Sequence, residues 1–92
     1  MARISVQYMP GVMEATGKKA EIVELPHPDL PALTDVLLTK YGSPLKEILM
    51  DPATGKRSRY ILIAINGTVT HDHDAPLQDG DQVIFSPVLA GG

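Results

Sequence analysis

The chain contains no cysteine. That excludes disulfide staples, thiol catalysis and thiolate metal sites. It has no apolar run long enough to cross a bilayer, and its start, Met1-Ala2-Arg3-Ile4-Ser5-Val6, has no signal-peptide core. The expected location is therefore the cytosol. Basic residues are in deficit: 8 Lys and Arg against 11 Asp and Glu, for a net charge of -3. Nucleic acid and anionic membranes want a basic surface, so neither is expected as a partner; a protein with a basic face suits the chain better. Internal repeats, low-complexity segments and a glycine-rich phosphate loop are also lacking. What remains is 92 residues, 43% of them hydrophobic. That is enough for one small folded domain with one modest core.

The hydrophobic periods give its outline. Ile4, Val6 and Tyr8 alternate with Arg3, Ser5 and Gln7, which predicts a half-buried strand ended by Pro10-Gly11. Val12 to Lys19 reads as a hairpin loop, and Ala20 to Leu25 as a second strand at a sheet edge. Asp29 is placed to cap a helix that tolerates Pro31 in its first turn. Leu30, Leu33, Val36, Leu37 and Tyr41 follow at helical spacing, and Gly42 supplies the stop. Ser43-Pro44 opens a short second helix with Leu45, Ile48 and Leu49 facing inward. After a polar loop from Asp51 to Arg57, the run Tyr60 to Ile65 predicts a strand buried on both faces. Asn66-Gly67 and Asp79-Gly80-Asp81 are tight turns, with Thr68 to Thr70 a very short strand between them. Gln82 to Ser86 is the last strand, ended by Pro87. The pattern describes an α+β domain: a mixed sheet of four to five strands with one main helix packed across it.

Few side chains suggest chemistry. His71-Asp72-His73-Asp74 is the obvious metal candidate, but its i, i+2 spacing is not a zinc signature and no third ligand cluster is evident, so no metal site is expected. His27 sits between two prolines and reads as exposed. Lys18-Lys19 and Lys56-Arg57 read as solvated loop charge. Asp79-Gly80-Asp81 lacks the later ligand positions of a calcium loop, which are occupied by Val83 and Phe85. No serine has a neighbouring base in sequence. Tyr8 and Phe85 suit either an apolar patch for a partner or the core.

The ending is different. The domain is expected to span 1–87, followed by a flexible tail, 88–92, of Val88, Leu89, Ala90, Gly91 and Gly92. Extended, five residues reach on the order of 17 Å. Glycine has no Cβ, so a Gly-Gly tip can enter a narrow channel and adopt backbone angles closed to other residues. Such a tip could deliver a carboxylate into another enzyme's active site.

The stretch Asp79-Gly80-Asp81-Gln82-Val83-Ile84-Phe85, followed by Pro87 and Ala90-Gly91-Gly92, resembles the ending of the MoaD/ThiS family of ubiquitin-like sulfur carriers. The Ile65-Asn66-Gly67 turn and the strand–strand–helix opening are similar too. The resemblance implies a β-grasp fold and a carrier or co-substrate protein rather than an enzyme, with no cofactor of its own. It implies that an ATP-dependent activating enzyme of the ubiquitin-activating type adenylates the carboxylate of Gly92, and that a sulfurtransferase supplies the sulfur of a thiocarboxylate. A sulfur-accepting synthase then consumes that sulfur. Gly91 would be the channel-fitting neighbour, and Ala90, Leu89 and Val88 tail contacts. The length is near that of the small subunit of molybdopterin synthase, whereas Leu49-Met50-Asp51-Pro52 with Gly55-Lys56 and Arg59 resembles the cysteine-forming carriers. Both pathways stay open. So do two other roles: a ubiquitin-like modifier conjugated through Gly92, and a β-grasp interaction module without chemistry.

Overall fold

The computed structural model of the chain describes residues 1–88. The elements run β1 (Ala2–Tyr8), α1 (Met13–Thr16), β2 (Ala20–Leu25), α2 (Leu30–Tyr41), α3 (Ser43–Leu49), β3 (Ile61–Ile65), β4 (Thr68–Thr70) and β5 (Gln82–Pro87). The strands form one mixed sheet in the order β2-β1-β5-β3-β4. β5 lies in the middle, parallel to β1 (Val6 opposite Val83) and antiparallel to β3 (Ile63 opposite Phe85). β2 is an edge strand, as its weaker alternation suggested.

Period-2 alternation puts Ile4, Val6, Tyr8, Val23, Leu25, Ile61, Ile63, Val83 and Phe85 on one face of the sheet, where they are buried with Leu30, Leu33 and Leu37 of α2 and Leu45 and Leu49 of α3. Tyr8 and Phe85 are thus core residues, their rings stacked with centroids 6.2 Å apart. The Asp29 carboxylate accepts the Ala32 amide at 2.7 Å, with Pro31 in the first turn of α2, and the Gly42 amide closes that helix on the Leu38 carbonyl.

Three expectations need correction. The loop expected at Val12–Lys19 contains α1, a single helical turn. It is held because the Met9 carbonyl accepts both Val12 and Met13 amides and the Glu14 carboxylate accepts the Gly11 amide at 2.7 Å. The run from Tyr60 is not buried on both faces: Tyr60 lies outside β3 and is 66% exposed, while Leu62 and Ala64 are half-buried. Among the described residues no helix covers the face that carries them, so an apolar run there marks an uncovered surface. Finally, Val36 lies on the solvent side of α2, 40% exposed, and Thr34 takes the buried position instead.

A charged group enters the core side. Glu21, on β2, has a side chain only 8% exposed. It accepts hydrogen bonds from the Tyr8 hydroxyl at 2.6 Å, from the Tyr41 hydroxyl, and from Lys40 Nζ at 2.5 Å, with Lys18 Nζ at 3.7 Å. Burial alone would raise its pKa. Hydrogen bonds from Lys40, Tyr41 and Tyr8 outweigh that and pull it from 4.5 down to about 2. Burial, then the hydrogen bond to Glu21, raises both tyrosine hydroxyls. The carboxylate thereby ties β1, β2 and the end of α2 together.

Candidate functional site

The strand order puts β5, the last described strand, at the centre of the sheet. The two turns at the start of β5 fix its position along the sheet. In the first, the Asp79 carboxylate accepts the Arg3 amide at 2.8 Å and the Gly80 amide returns to the Arg3 carbonyl at 2.9 Å. The Asp81 carboxylate accepts the Gln78 amide at 2.8 Å and the Asn66 side-chain amide at 2.9 Å. Asn66 and Gly67 both hold positive φ, 51° and 86°, as a two-residue hairpin turn requires. Asn66 also exchanges hydrogen bonds with the Gln82 backbone. The carboxylates of this turn are therefore committed to the backbone and side chains of the fold.

At the other end of β5 the tail begins. The Met9 amide donates to the Phe85 carbonyl at 3.0 Å, Pro87 pairs with Ile61, and the Val88 amide donates to the Tyr60 carbonyl at 2.7 Å. Gly11 packs against Pro87 from the β1 side. A Cβ there would stand 2.8 Å from Pro87 Cγ, and its φ of 102° already disfavours other residues. The tail root is thus held between the β1–α1 turn and the residue that precedes β3. Of the predicted tail residues, Val88 is placed here, half-exposed; Leu89, Ala90, Gly91 and Gly92 lie outside the described residues.

Beside this exit lies the uncovered face of the sheet. Val69, Ala64 and Ile84 stand in register across β4, β3 and β5, with Gln7 next on β1. Leu62 opposite Ser86 extends the row toward the tail root. These residues make an apolar surface framed by the polar Ser5 and Gln82. Tyr8 and Phe85 face the core, and the more exposed apolar residues of these strands stand at positions of the opposite parity. Nothing local distinguishes the two parities in β3, because both are aliphatic.

The other candidates do not assemble. His71 to Asp74 forms a surface loop in which the Asp72 carboxylate accepts the Asp74 amide at 2.9 Å. Among the described residues no three His, Asp or Glu side chains are grouped to hold a metal ion. His27 is exposed. No helix is long and apolar enough to cross a membrane among the described residues.

A model of the ThiS family matches residues 6–92. A comparison with curated protein sequences finds no match. Among solved structures, the chain is similar to the crystal structure of SAMP1 from Haloferax volcanii, with a TM-score of 0.85 and 16% identity over 99% of this chain and 100% of that one. It is similar to the solution structure of Urm1 from Trypanosoma brucei, with a TM-score of 0.76 and 26% identity over 98% of this chain and 95% of that one. It is also similar to the crystal structure of CysO from Mycobacterium tuberculosis, with a TM-score of 0.74 and 25% identity over 94% and 99% of the two chains. The shared architecture is the β-grasp fold of ubiquitin-like proteins.

Proposed function

This chain belongs to the ThiS family, and from that premise we propose that it is a sulfur carrier whose reacting group is the carboxylate of Gly92. A carboxylate is a poor electrophile until it carries a good leaving group. In the proposed cycle the Gly92 carboxylate oxygen attacks the α-phosphorus of ATP in an activating enzyme, and pyrophosphate leaves. A sulfide equivalent from a sulfurtransferase then attacks the acyl carbon, AMP leaves, and a thiocarboxylate remains. A synthase of the molybdopterin or cysteine pathway takes that sulfur for its substrate. Every bond made or broken on this chain lies within one terminal carboxyl group, so the globular body supplies binding and presentation rather than catalysis.

The observation that supports this reading most is the extent of the family match, which runs through the tail to residue 92. The position of β5 agrees with it, because this last described strand lies at the sheet centre and Val88, which follows it, is held to Tyr60 beside the Gly11–Pro87 contact. The uncovered row of Leu62, Ala64, Val69 and Ile84 gives an activating enzyme an apolar surface to hold while the tail is threaded. The test is an ATP–pyrophosphate exchange assay with the cognate activating enzyme. Exchange should depend on the carrier and should vanish when one residue is appended beyond Gly92, with the thermal melt unchanged. Undiminished exchange with the extended chain, untrimmed by protease, would contradict the proposal.

A further inference from the structure

β4 pairs with only the last three residues of β3, the outermost pair being Ile63 with Thr70. Beyond it the strands diverge, and a groove of about 310 Å³ opens, lined by Arg57, Arg59, Ile61, Thr70, His71 and His73 among others. Arg57 is half-buried there and donates to the His73 carbonyl at 3.4 Å. Burial lowers its pKa, and the nearby Asp74 charge offsets that only in part. Among the described residues, no carboxylate oxygen lies within 4.0 Å of either guanidinium; the ion pairs there involve Arg3, Lys18 and Lys40. The Arg59 guanidinium stands 5.7 Å from the centre of the exposed Tyr60 ring, and the Tyr60 carbonyl holds the Val88 amide. A cationic groove therefore opens one strand away from the tail root, on a chain whose net charge is -3.

A half-buried Arg57 guanidinium and an exposed Arg59 guanidinium, neither with a carboxylate oxygen within 4.0 Å among the described residues, leave room for an acidic complement from outside. A lone inorganic anion would use only the cations. An acidic peptide would use the aliphatic wall of Ile61 and Leu62 and the exposed Tyr60 ring as well, and Tyr and Arg are the residue types that dominate protein interfaces. We propose that this groove docks an acidic segment of the activating enzyme that receives the tail, with Arg59 and Arg57 selecting that partner. The inference rests on the reading that Gly92 is activated by such an enzyme.

The experiment measures KM for the intact carrier and kcat in ATP–pyrophosphate exchange, at low and high salt. Arg59→Glu should raise KM about tenfold at low salt with kcat unchanged, as loss of one close charge pair would. The gap should narrow as salt rises, and Arg59→Lys should recover most of the KM. Arg3→Glu, at the opposite end of β5, should leave KM within about twofold of the unaltered chain. Thermal melts of each variant separate docking from folding, and Arg59→Gln, expected to give an intermediate KM, replaces Arg59→Glu if the latter unfolds. An unchanged KM for Arg59→Glu, or an equal rise for Arg3→Glu, would overturn the inference while activation of Gly92 stands. Titration with inorganic phosphate should show no saturable binding; binding lost in Arg59→Glu would also overturn it. No exchange with the unaltered chain would sink both readings.

Discussion

Replacing Glu21 by Gln isolates the one charged group that the fold draws into its core side. The side chain keeps its shape but loses its charge, and one of its two acceptor oxygens becomes a donating NH2 among three donors: the Tyr8 and Tyr41 hydroxyls and the Lys40 ammonium. The wild-type pKa of about 2, against an ordinary 4.5, sets the scale. A difference of that size corresponds to on the order of 3 kcal/mol of stability near neutral pH. Lys40 and Lys18 are half-exposed, and water screens their share, so about 2 kcal/mol is the better expectation. The sign follows from the depressed pKa. The stabilisation is fully present above pH 4.5 and is lost as the pH falls from there towards 2. Urea unfolding of both proteins at pH 7 and at pH 2.5 is the assay. At neutral pH the variant's midpoint should fall by about 1–2 M urea, given a slope of about 1–2 kcal/mol per molar for a chain this small. At pH 2.5, close to the folded pKa and well below the unfolded one, most of the gap should be gone, because the carboxylate of the unfolded chain has taken up its proton there. A gap that is equally wide at both pH values, or absent at pH 7, would refute the idea that an ionised Glu21 fastens β1, β2 and α2.

Gly11→Ala should destabilise by about 2–3 kcal/mol, combining a disfavoured positive φ with overlap on Pro87. Gly17→Ala, with φ of 72° and nothing within 4 Å of the new Cβ, should cost only about 1 kcal/mol, so equal midpoints in urea would remove the contact argument. Among the described residues the buried Thr34 hydroxyl has no hydrogen-bond partner, so Thr34→Val should stabilise by about 1 kcal/mol, read as a rise in the melting midpoint; a loss would mean the hydroxyl is satisfied.

The elements that declared themselves in the sequence are those whose signals are local. Alternation in β1, the Asp29 cap and Gly42 stop of α2, and the Asn66-Gly67 and Asp79-Gly80-Asp81 turns each act over a few neighbouring residues. α1 was hidden because one turn of helix has no period to detect. The uncovered face of β3 was hidden because Leu62 and Ala64 are as aliphatic as Ile61 and Ile63, and only the absence of a covering helix distinguishes them. The Glu21 network joins Tyr8, Glu21 and Tyr41, and the cationic groove joins Arg57 with His73. Neither has a local signature, since the groups meet only once β1, β2 and α2, or the loops around β3 and β4, are packed. The tail was legible as a motif, whereas its anchoring by Gly11 and Tyr60 required the strand order.

On this protein sulfur should be carried at the terminal carbonyl, as a thiocarboxylate of Gly92. Intact-mass analysis tests it most directly, after incubation with activating enzyme, ATP and a sulfur donor and with fragmentation to locate any change. One oxygen of Gly92 should be replaced by sulfur, with no other residue altered. A carrier that stays unmodified while the enzyme consumes ATP, or one recovered only as an isopeptide between Gly92 and a lysine, would contradict it.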